Sequence, residues 1–161
     1  YDGETTARAA AILKELHCPF IINQSRYSIF DRTIEKNGLK AYAAAHGVGI
    51  IAFSPLAQGL LTGRYLDGIP QDSRMAAGRS LQREVLTDAM LERLRALNDI
   101  ARQRGQTLAE MALAWLLRDK RVTSVIVGAS SAAQIEDNLR ALENASFSDD
   151  ELARIDALSR E

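Results

Sequence analysis

Small and polar residues follow an apolar, strand-like run near the middle of the first half of the chain. Residues 48–52 are apolar, and Phe53-Ser54-Pro55-Leu56-Ala57-Gln58-Gly59 come directly after them. In barrels and open sheets built from parallel strands, ligands bind where the strands end. Backbone N–H groups flanked by small side chains suit a close approach by phosphate. The segment is therefore a candidate ligand-binding loop.

A second place suited to an anion precedes a late helical pattern. Gly128 and Ser130 stand just before it, and a helix N-terminus attracts anions through its unpaired N–H groups and its dipole. Ser131 and Gln134 have the spacing of a capping box. The alternative interpretation is that Ser130 or Ser131 only caps the helix.

The elements that must position these residues alternate between helix and strand. Short apolar runs predict strands over 20–23, 48–53 and 122–127. Apolar residues at helical spacing, with capping boxes at Thr107 and Ser148, predict the helices. These cover 5–17, 33–46, 87–104, the segment after Thr107, the segment from Ser131 and the segment after Ser148. Residues 55–86, rich in glycine, predict a long loop, which in compact domains is usually either functional or disordered.

Strands that alternate with helices predict βαβ units and a parallel sheet, hence an α/β fold. Three strands cannot close a barrel, because an eight-stranded barrel needs ~250 residues. Two architectures remain open at this point. The chain is either a small open α/β sheet or the last three strands of a barrel.

Composition excludes several classes of protein. The chain has 161 residues and a formal net charge of -1, so we expect no nucleic-acid partner. It has neither a signal-peptide pattern nor an apolar stretch of the ~20 residues that span a bilayer, so we expect no membrane association. Cys18 is the single cysteine, which excludes an intrachain disulfide and a multi-cysteine metal site and fits a cytoplasmic setting. The chain begins at Tyr1, so we expect that an upstream part is absent.

Three segments, in this order, give the chain a specific likeness. Residues 53–65, 68–74 and 125–130 resemble the C-terminal half of an aldo-keto reductase, in the branch of glyceraldehyde 3-phosphate reductases and potassium-channel β-subunits. The resemblance covers essentially all of the chain. It implies that residues 1–161 form a single partial domain. Its strands would be strands six, seven and eight of a (β/α)8 TIM barrel, the C-terminal portion of that fold.

The resemblance implies roles in binding a nicotinamide cofactor. Gln24, at the end of strand six, would hydrogen-bond the carboxamide, for which an amide is chemically suited. Phe53 would lie flat against the nicotinamide ring. The pyrophosphate and ribose would be lined by Ser54, Pro55, Leu56, Ala57 and Gln58.

The remaining cofactor contacts are also implied by the family. Arg64 would contact the pyrophosphate and Arg74 the 2′-phosphate, since a guanidinium binds phosphate with two hydrogen bonds. The adenosine end would be surrounded by Ser130, Gln134, Asp137 and Asn138, and Gly128, just before that helix, would be a further cofactor-binding residue. Many relatives place Lys or Arg on the segment that matches 129–139, and this chain has none there. We still expect NADP, because Arg74, Ser130 and Gln134 remain, with NADPH preferred over NADH.

No catalytic residue is assigned. The family uses a tyrosine as general acid with Lys, Asp and His around it, all on strands one to four. Tyr27 follows Gln24 but has no lysine near it in the sequence. His17 and His46 end predicted helices, at the end of the βα units opposite to catalysis, and both are interpreted as structural.

The resulting hypothesis is an NADPH-dependent reductase that converts an aldehyde or ketone to an alcohol by hydride transfer. This chain would carry the cofactor-binding half and would be inactive alone. The alternative is a regulatory subunit that senses the nucleotide with little turnover. A third hypothesis is a natural half-barrel that pairs with itself or with another half-chain, because its first strand would otherwise leave an exposed edge.

Overall fold

Three parallel strands form one sheet in the computed structural model, which describes residues 1–71, 73, 75, 76, 78 and 81–159. The strands are β1 (Ile22–Arg26), β2 (Gly49–Phe53) and β3 (Ser124–Val125). They lie in the order β1-β2-β3, and each neighbouring pair is parallel. The predicted α/β class with a parallel sheet is therefore confirmed.

Helices connect the strands, and side-chain caps start several of them. Asp2, Thr87, Thr107 and Ser131 each accept a hydrogen bond from a backbone N–H in the first turn, which satisfies a donor that the helix leaves free. The described helices are α1 (Gly3–Glu15), α2 (Thr33–Lys36), α3 (Leu39–His46), α4 (Asp88–Gln103), α5 (Leu108–Leu117), α6 (Ala132–Leu139) and α7 (Asp149–Ser159). Short 3-10 turns span Ala57–Thr62, Arg83–Val85 and Arg140–Leu142.

The first strand differs from its prediction over 20–23. It begins at Ile22 and continues to Arg26, because its ladder with β2 extends through polar residues. One face of the strand is directed away from the core, so the residues of that face need not be apolar and an apolar run does not reveal where the strand ends. The third strand is shorter than predicted, although Thr123 N and Ile126 N continue the bonding on either side, to Ile50 O and Ala52 O at 2.8 Å each.

The predicted helix over 33–46 is two helices. Gly38 separates α2 from α3 with a left-handed φ of 81°, which glycine adopts at little cost. A side chain on Gly3 would meet the Gly38 carbonyl carbon at 2.7 Å, so the start of α1 packs tightly against this junction.

The core lies on one side of the sheet. Ile50 and Ala52 of β2 are fully buried there, together with Trp115 and Met111 of α5. The helix predicted after the Thr107 capping box is confirmed as α5. The alternate residues Ile22, Gln24 and Arg26 of β1 are exposed, so no described helix covers that face of β1.

Exposed aliphatic residues lie next to both edge strands of the sheet, β1 and β3. Next to β1, Ile21 is 72% exposed, and Ile12 of α1 and Leu16, the residue that caps the C-terminus of α1, are also exposed. Next to β3, the exposed aliphatic residues are Ile126, Ile135, Leu139 and Leu142. The apolar sides of α1 and α6 therefore do not pack into the described core.

No helix in the described part of the chain is long and apolar enough to cross a membrane.

Two isoleucines of the sheet region test where the core lies. Ile50 is 0% exposed and Ile126 is 45% exposed. We expect Ile50→Ala to lower the free energy of unfolding of the 161-residue chain by about 2–5 kcal/mol, because it leaves a cavity. Ile126→Ala should cost about 1 kcal/mol or less. Urea unfolding followed by circular dichroism measures both values. Equal losses would contradict the described core.

Candidate functional site

The segment after β2 has an unusual backbone. Ser54, Ala57 and Gln58 have φ values of 54°, 47° and 59°, and they are three of the five non-glycine residues with positive φ in the described structure. Gly59 follows with a φ of 105°. Such a conformation costs each non-glycine residue roughly 1–2 kcal/mol, and proteins retain it mainly at binding or active sites. The backbone here therefore marks a candidate site.

The ladder between β1 and β2 sets the neighbours of Phe53. Its partner in the register is Arg26, while Gln24 pairs with Ile51. Side chains at positions i and i+2 share a face, as do registered partners. Gln24, Arg26 and Phe53 therefore lie on the same open face. Gln24 was predicted to end the strand; it lies in the middle, two residues before the end, because the ladder runs on to Arg26.

Two residues of the predicted cofactor segment pack into the protein. Pro55 is buried, and Leu56 packs against Leu113 and Ala114 of α5. Their side chains anchor the segment, which leaves the backbone of the segment for contact with a ligand.

Gln58 carries a buried acceptor without a partner. Its Oε1 atom is inaccessible to solvent and receives no hydrogen bond in the described structure. The residue also lines a cavity of about 980 Å³ between the loop after β1 and the segment after β2. A buried polar atom without a partner costs about 1–3 kcal/mol, so the backbone conformation of this segment holds the Gln58 side chain at a cost in stability.

The second predicted ligand-binding segment, which begins at Gly128, follows β3 at the same end of the strands as the segment after β2. Ile126 N donates to Ala52 O at 2.8 Å, so the chain passes Gly128 just beyond the level of Phe53. Ser131 caps α6 by accepting from Gln134 N at 3.3 Å. Gln134 Oε1 accepts from Ser130 N at 2.8 Å. The predicted cap is present, with the Gln134 side chain bound one residue further back than in a regular capping box.

The other two predicted residues of α6 differ in their surroundings. Asp137 forms an ion pair with Arg140, which also bonds Glu110 Oε1 at 3.2 Å. Asn138 is partly buried, and its side-chain amide has no hydrogen-bond partner among the described residues, whereas the Asp137 carboxylate is engaged by Arg140.

Of the two arginines predicted to contact phosphate, the structure describes Arg64. Arg64 follows the 3-10 turn Ala57–Thr62 and is exposed. Arg74 lies outside the described residues, so its predicted contact stays a prediction.

Tyr27 is the centre of a buried polar cluster that the sequence did not reveal. The residue is 0% exposed, and its hydroxyl donates to the Glu35 carboxylate. Lys40 Nζ lies 3.0 Å from the Tyr27 oxygen and 2.9 Å from Asp119 Oδ2. A lysine is therefore near Tyr27 in space, thirteen positions later in the chain. Because the hydroxyl is fully buried, Tyr27 cannot touch a substrate and is not a catalytic residue.

Opposing effects set the pKa values in this cluster. Burial raises the pKa of the Tyr27 hydroxyl well above its ordinary value of 10.0, and the bond to Glu35 adds to that rise. Burial would also raise the pKa of the Glu35 carboxyl, but hydrogen bonds from Tyr27 and Arg32 outweigh it and hold the pKa below 4.5. In the same way, Lys40 holds the pKa of Asp119 below 3.8 against the effect of burial. Both carboxyls are therefore ionised at neutral pH.

The C-terminal helix fixes the loop after β1. Arg32 pairs with Asp156 of α7 and with Glu35. Arg93 of α4 lies over the Phe30 ring at 5.0 Å and donates to the carbonyl oxygen of Leu158 at 2.7 Å. One wall of the cavity is thus held by contacts from three helices.

The histidines lie away from this edge. His46 ends α3, stacks on the Tyr42 ring at 4.0 Å and contacts the Tyr42 carbonyl oxygen at 2.9 Å. His17 follows the C-terminus of α1 with a φ of 54°. Both lie at helix C-termini, as predicted.

Comparison with known proteins agrees with the resemblance inferred from the sequence. A model of the Aldo/keto reductase family matches residues 3–160. A protein of Escherichia coli (strain K12) named L-glyceraldehyde 3-phosphate reductase is 52% identical over 160 residues, which cover 97% of this chain and 46% of that protein. A protein of Arabidopsis thaliana named as a probable voltage-gated potassium channel subunit beta is 40% identical over 143 residues, 86% of this chain and 43% of that protein. The chain therefore spans less than half the length of these relatives.

Removal of Lys40 tests the buried cluster. We expect Lys40→Met to lower the free energy of unfolding at pH 7 by about 3 kcal/mol, because Glu35 and Asp119 lose their shared cation. Lys36→Met is the control, since Lys36 is exposed and should change stability by about 0.5 kcal/mol or less.

The pH dependence of the free energy of unfolding provides a second test of the cluster. In the parent chain the folded-state pKa of Glu35 lies below the ordinary 4.5. Its contribution to stability is therefore complete above about pH 4.5 and is lost as the pH falls through the lower folded-state value. Lys40→Met should raise the folded-state pKa values of Glu35 and Asp119. The free energy of unfolding should then fall less steeply as the pH is lowered. Urea unfolding at a series of pH values measures the free energy of unfolding of both proteins. If the two plots of this free energy against pH were parallel, the role of the cluster would be refuted.

Proposed function

Because the chain belongs to the aldo/keto reductase family, we propose that it carries the cofactor-binding part of an NADPH-dependent enzyme. That enzyme reduces an aldehyde or ketone to an alcohol. The family and the reductase relative support an oxidoreductase. The observation that carries the proposal is the left-handed backbone at Ser54, Ala57 and Gln58, directly after β2.

The residues at the strand ends fit a nicotinamide dinucleotide. Gln58 lines the cavity, and the side-chain amide of Asn138 has no partner among the described residues. Phe53 is partly buried on the open face, so one side of its ring can receive a flat aromatic group. Polar groups without partners next to an aromatic surface are what a ligand with hydroxyl, amide and ring parts requires.

Each part of the site has a distinct task in this proposal. When bound, NADPH supplies the hydride that reduces the carbonyl carbon. Phe53 and Gln24 orient the nicotinamide, the first by its ring and the second by its amide. The backbone of 54–58 holds the pyrophosphate, with Arg64 beside it. The adenosine end is held by Gly128, Ser130, Gln134, Asp137 and Asn138.

A further part of the protein completes the site. We assign β1, β2 and β3 to strands six, seven and eight of a (β/α)8 barrel and the whole chain to one partial domain. The exposed aliphatic residues on both sides of the sheet, such as Ile21 and Ile126, would be covered by the N-terminal half or by a second copy. The proton that the new alkoxide takes up comes from a tyrosine outside this chain. We place the reaction in the cytoplasm.

Steady-state kinetics of the full-length protein test the proposal. With NADPH and a small neutral aldehyde such as butyraldehyde, we expect many turnovers for each protein molecule, measured by the loss of NADPH absorbance and the amount of alcohol formed. NADPH binding without turnover of any aldehyde or ketone would favour the regulatory subunit, an alternative that the channel-subunit relative supports. Absence of both binding and turnover would refute both.

Cofactor preference gives a separate prediction. We expect Arg74→Gln to raise the Kd of NADPH roughly 10- to 100-fold, as expected for losing charge-assisted hydrogen bonds to one phosphate. The Kd of NADH, which lacks the 2′-phosphate, should change less than about twofold. Arg83→Gln is the matched control, because Arg83 is an exposed arginine near the end of the same loop. Equal weakening of both nucleotides, measured by calorimetry, would contradict the assignment.

A further inference from the structure

The backbone carbonyl of Phe53 is bonded to the residue that follows β1. Tyr27 N donates a hydrogen bond to Phe53 O at 3.3 Å, just beyond the register pair of Arg26 with Phe53. Phe53 ends β2, and Ser54 after it has a left-handed φ of 54°. In the part of the chain that the structure describes, the Tyr27 bond is the last backbone bond between these two segments. It lies directly at the residue proposed to carry the nicotinamide.

The Tyr27 side chain supports this bond from the side opposite to the Phe53 ring. Successive side chains of a strand point to opposite faces, and Arg26 shares the open face with Phe53. Tyr27 therefore points to the helix-covered side, where it is 0% exposed and its ring centroid lies 5.5 Å from that of Trp115. The side chain holds the end of the ladder without reaching the face that would receive a ligand.

The position of the Tyr27 hydroxyl is set by buried charges. The hydroxyl donates to the Glu35 carboxylate and accepts from Lys40 Nζ at 3.0 Å. Glu35 is bonded in turn by Arg32 at 2.7 Å, and Lys40 by Asp119 at 2.9 Å. Any member that moves leaves another buried polar group without a partner, which is costly. The network therefore holds the Tyr27 side chain, and the backbone that carries it, in one place relative to α2 and α3.

The conformation of the platform depends on such contacts. A left-handed backbone at a non-glycine residue such as Ser54 persists only where the surrounding structure enforces it. Hydride transfer is sensitive to geometry, and a displacement of about 1 Å caused by a distant mutation can lower a rate roughly 100-fold. A small shift of the Phe53 backbone would therefore have a large effect on the reaction and a small effect on the fold.

We propose that Tyr27 is a positioning residue for hydride transfer, which acts through Phe53 and touches neither cofactor nor substrate. Its amide fixes the backbone of Phe53, and its hydroxyl, bonded to Glu35 and Lys40, fixes that amide. The plane of the Phe53 ring, and with it the nicotinamide, is set from behind the sheet. The inference rests on the proposed reductase function and adds a residue that none of the roles described above includes.

Tyr27→Phe tests this role, because it removes the hydroxyl and keeps the ring. The full-length protein is assayed with NADPH and butyraldehyde. We expect kcat to fall roughly 10- to 100-fold. The Kd of 2′,5′-ADP, which lacks the nicotinamide half, should stay within about twofold of the parent value. With NADPH deuterated at the transferred hydrogen, the isotope effect on kcat should rise in the variant, because hydride transfer becomes slower relative to product release.

The matched control is Ile100→Val. Ile100 is a buried residue of α4, so the variant weakens the core without changing any group bonded to Tyr27, and its kcat should stay within about twofold of the parent value. Urea unfolding measures the stability of both variants. A similar fall in kcat for both variants would show that activity follows stability alone and would overturn the proposal. Equal weakening of NADPH and 2′,5′-ADP by Tyr27→Phe would also overturn it.

Amide hydrogen exchange makes the test independent of turnover. In the full-length protein, we expect Tyr27→Phe to speed exchange of the amide at position 27 at least about tenfold. Exchange of Ile126 N–H, which donates to Ala52 O on the other side of β2 at 2.8 Å, should change less than about twofold. If the parent protein reduces no carbonyl compound, the reductase proposal fails, while faster exchange at position 27 still supports the tie to Phe53. If the parent protein turns over and the variant matches it in kcat and in exchange, the positioning role alone is overturned.

Discussion

The parallel ladder between β1 and β2 is the constraint on which the candidate site depends. It pairs Arg26 with Phe53. One further backbone hydrogen bond lies just beyond this pair, from Tyr27 N to Phe53 O at 3.3 Å. Because parallel strands end at the same edge, the loop after β1 and the left-handed segment after β2 emerge side by side. A shift of one residue would turn Phe53 toward the helices and Ala52 toward the open face. Ala52 is fully buried, so that shift would bring the larger Phe53 side chain to the helix-covered face where the Ala52 methyl group now packs.

The buried cluster around Tyr27 explains why the loop after β1 keeps one conformation. Tyr27 directly follows the strand, so its hydroxyl bond to Glu35 ties the end of β1 to α2. Lys40 then connects that pair to Asp119, beyond the C-terminus of α5. Charges buried this deeply are costly unless each has partners, which is why removing one member is more damaging than replacing the whole set. The cluster thus ties the end of β1, where Arg26 lies, to α2 and to Asp119, and its Glu35 carboxylate also lines the cavity.

The sequence predicted those parts of the fold that local pattern encodes. The Thr107 capping box and the apolar side of α5 follow directly from residue spacing, and the second strand was correct within one residue. The end of β1 was missed because its last residues are polar, and a strand with one open face need not be apolar throughout. That error placed Arg26 in a loop and hid its pairing with Phe53. The Lys40 contact was also beyond prediction, since thirteen residues separate it from Tyr27 and only the tertiary fold brings the two side chains to 3.0 Å.

The exposed aliphatic residues and the open sheet face have a common physical explanation. Single isoleucines on a protein surface are ordinary. Here they lie next to both edge strands of one sheet, at Ile21 before β1 and at Ile126 after β3. A parallel sheet is normally covered on both faces, and in a closed barrel the outer strands each gain a second neighbour. The same closure would exclude water from the face that carries Gln24, Arg26 and Phe53. Water exclusion strengthens every electrostatic contact to a bound anion or cofactor. The groups that close the sheet would therefore also raise the affinity of the site, so assembly and ligand binding should be thermodynamically coupled.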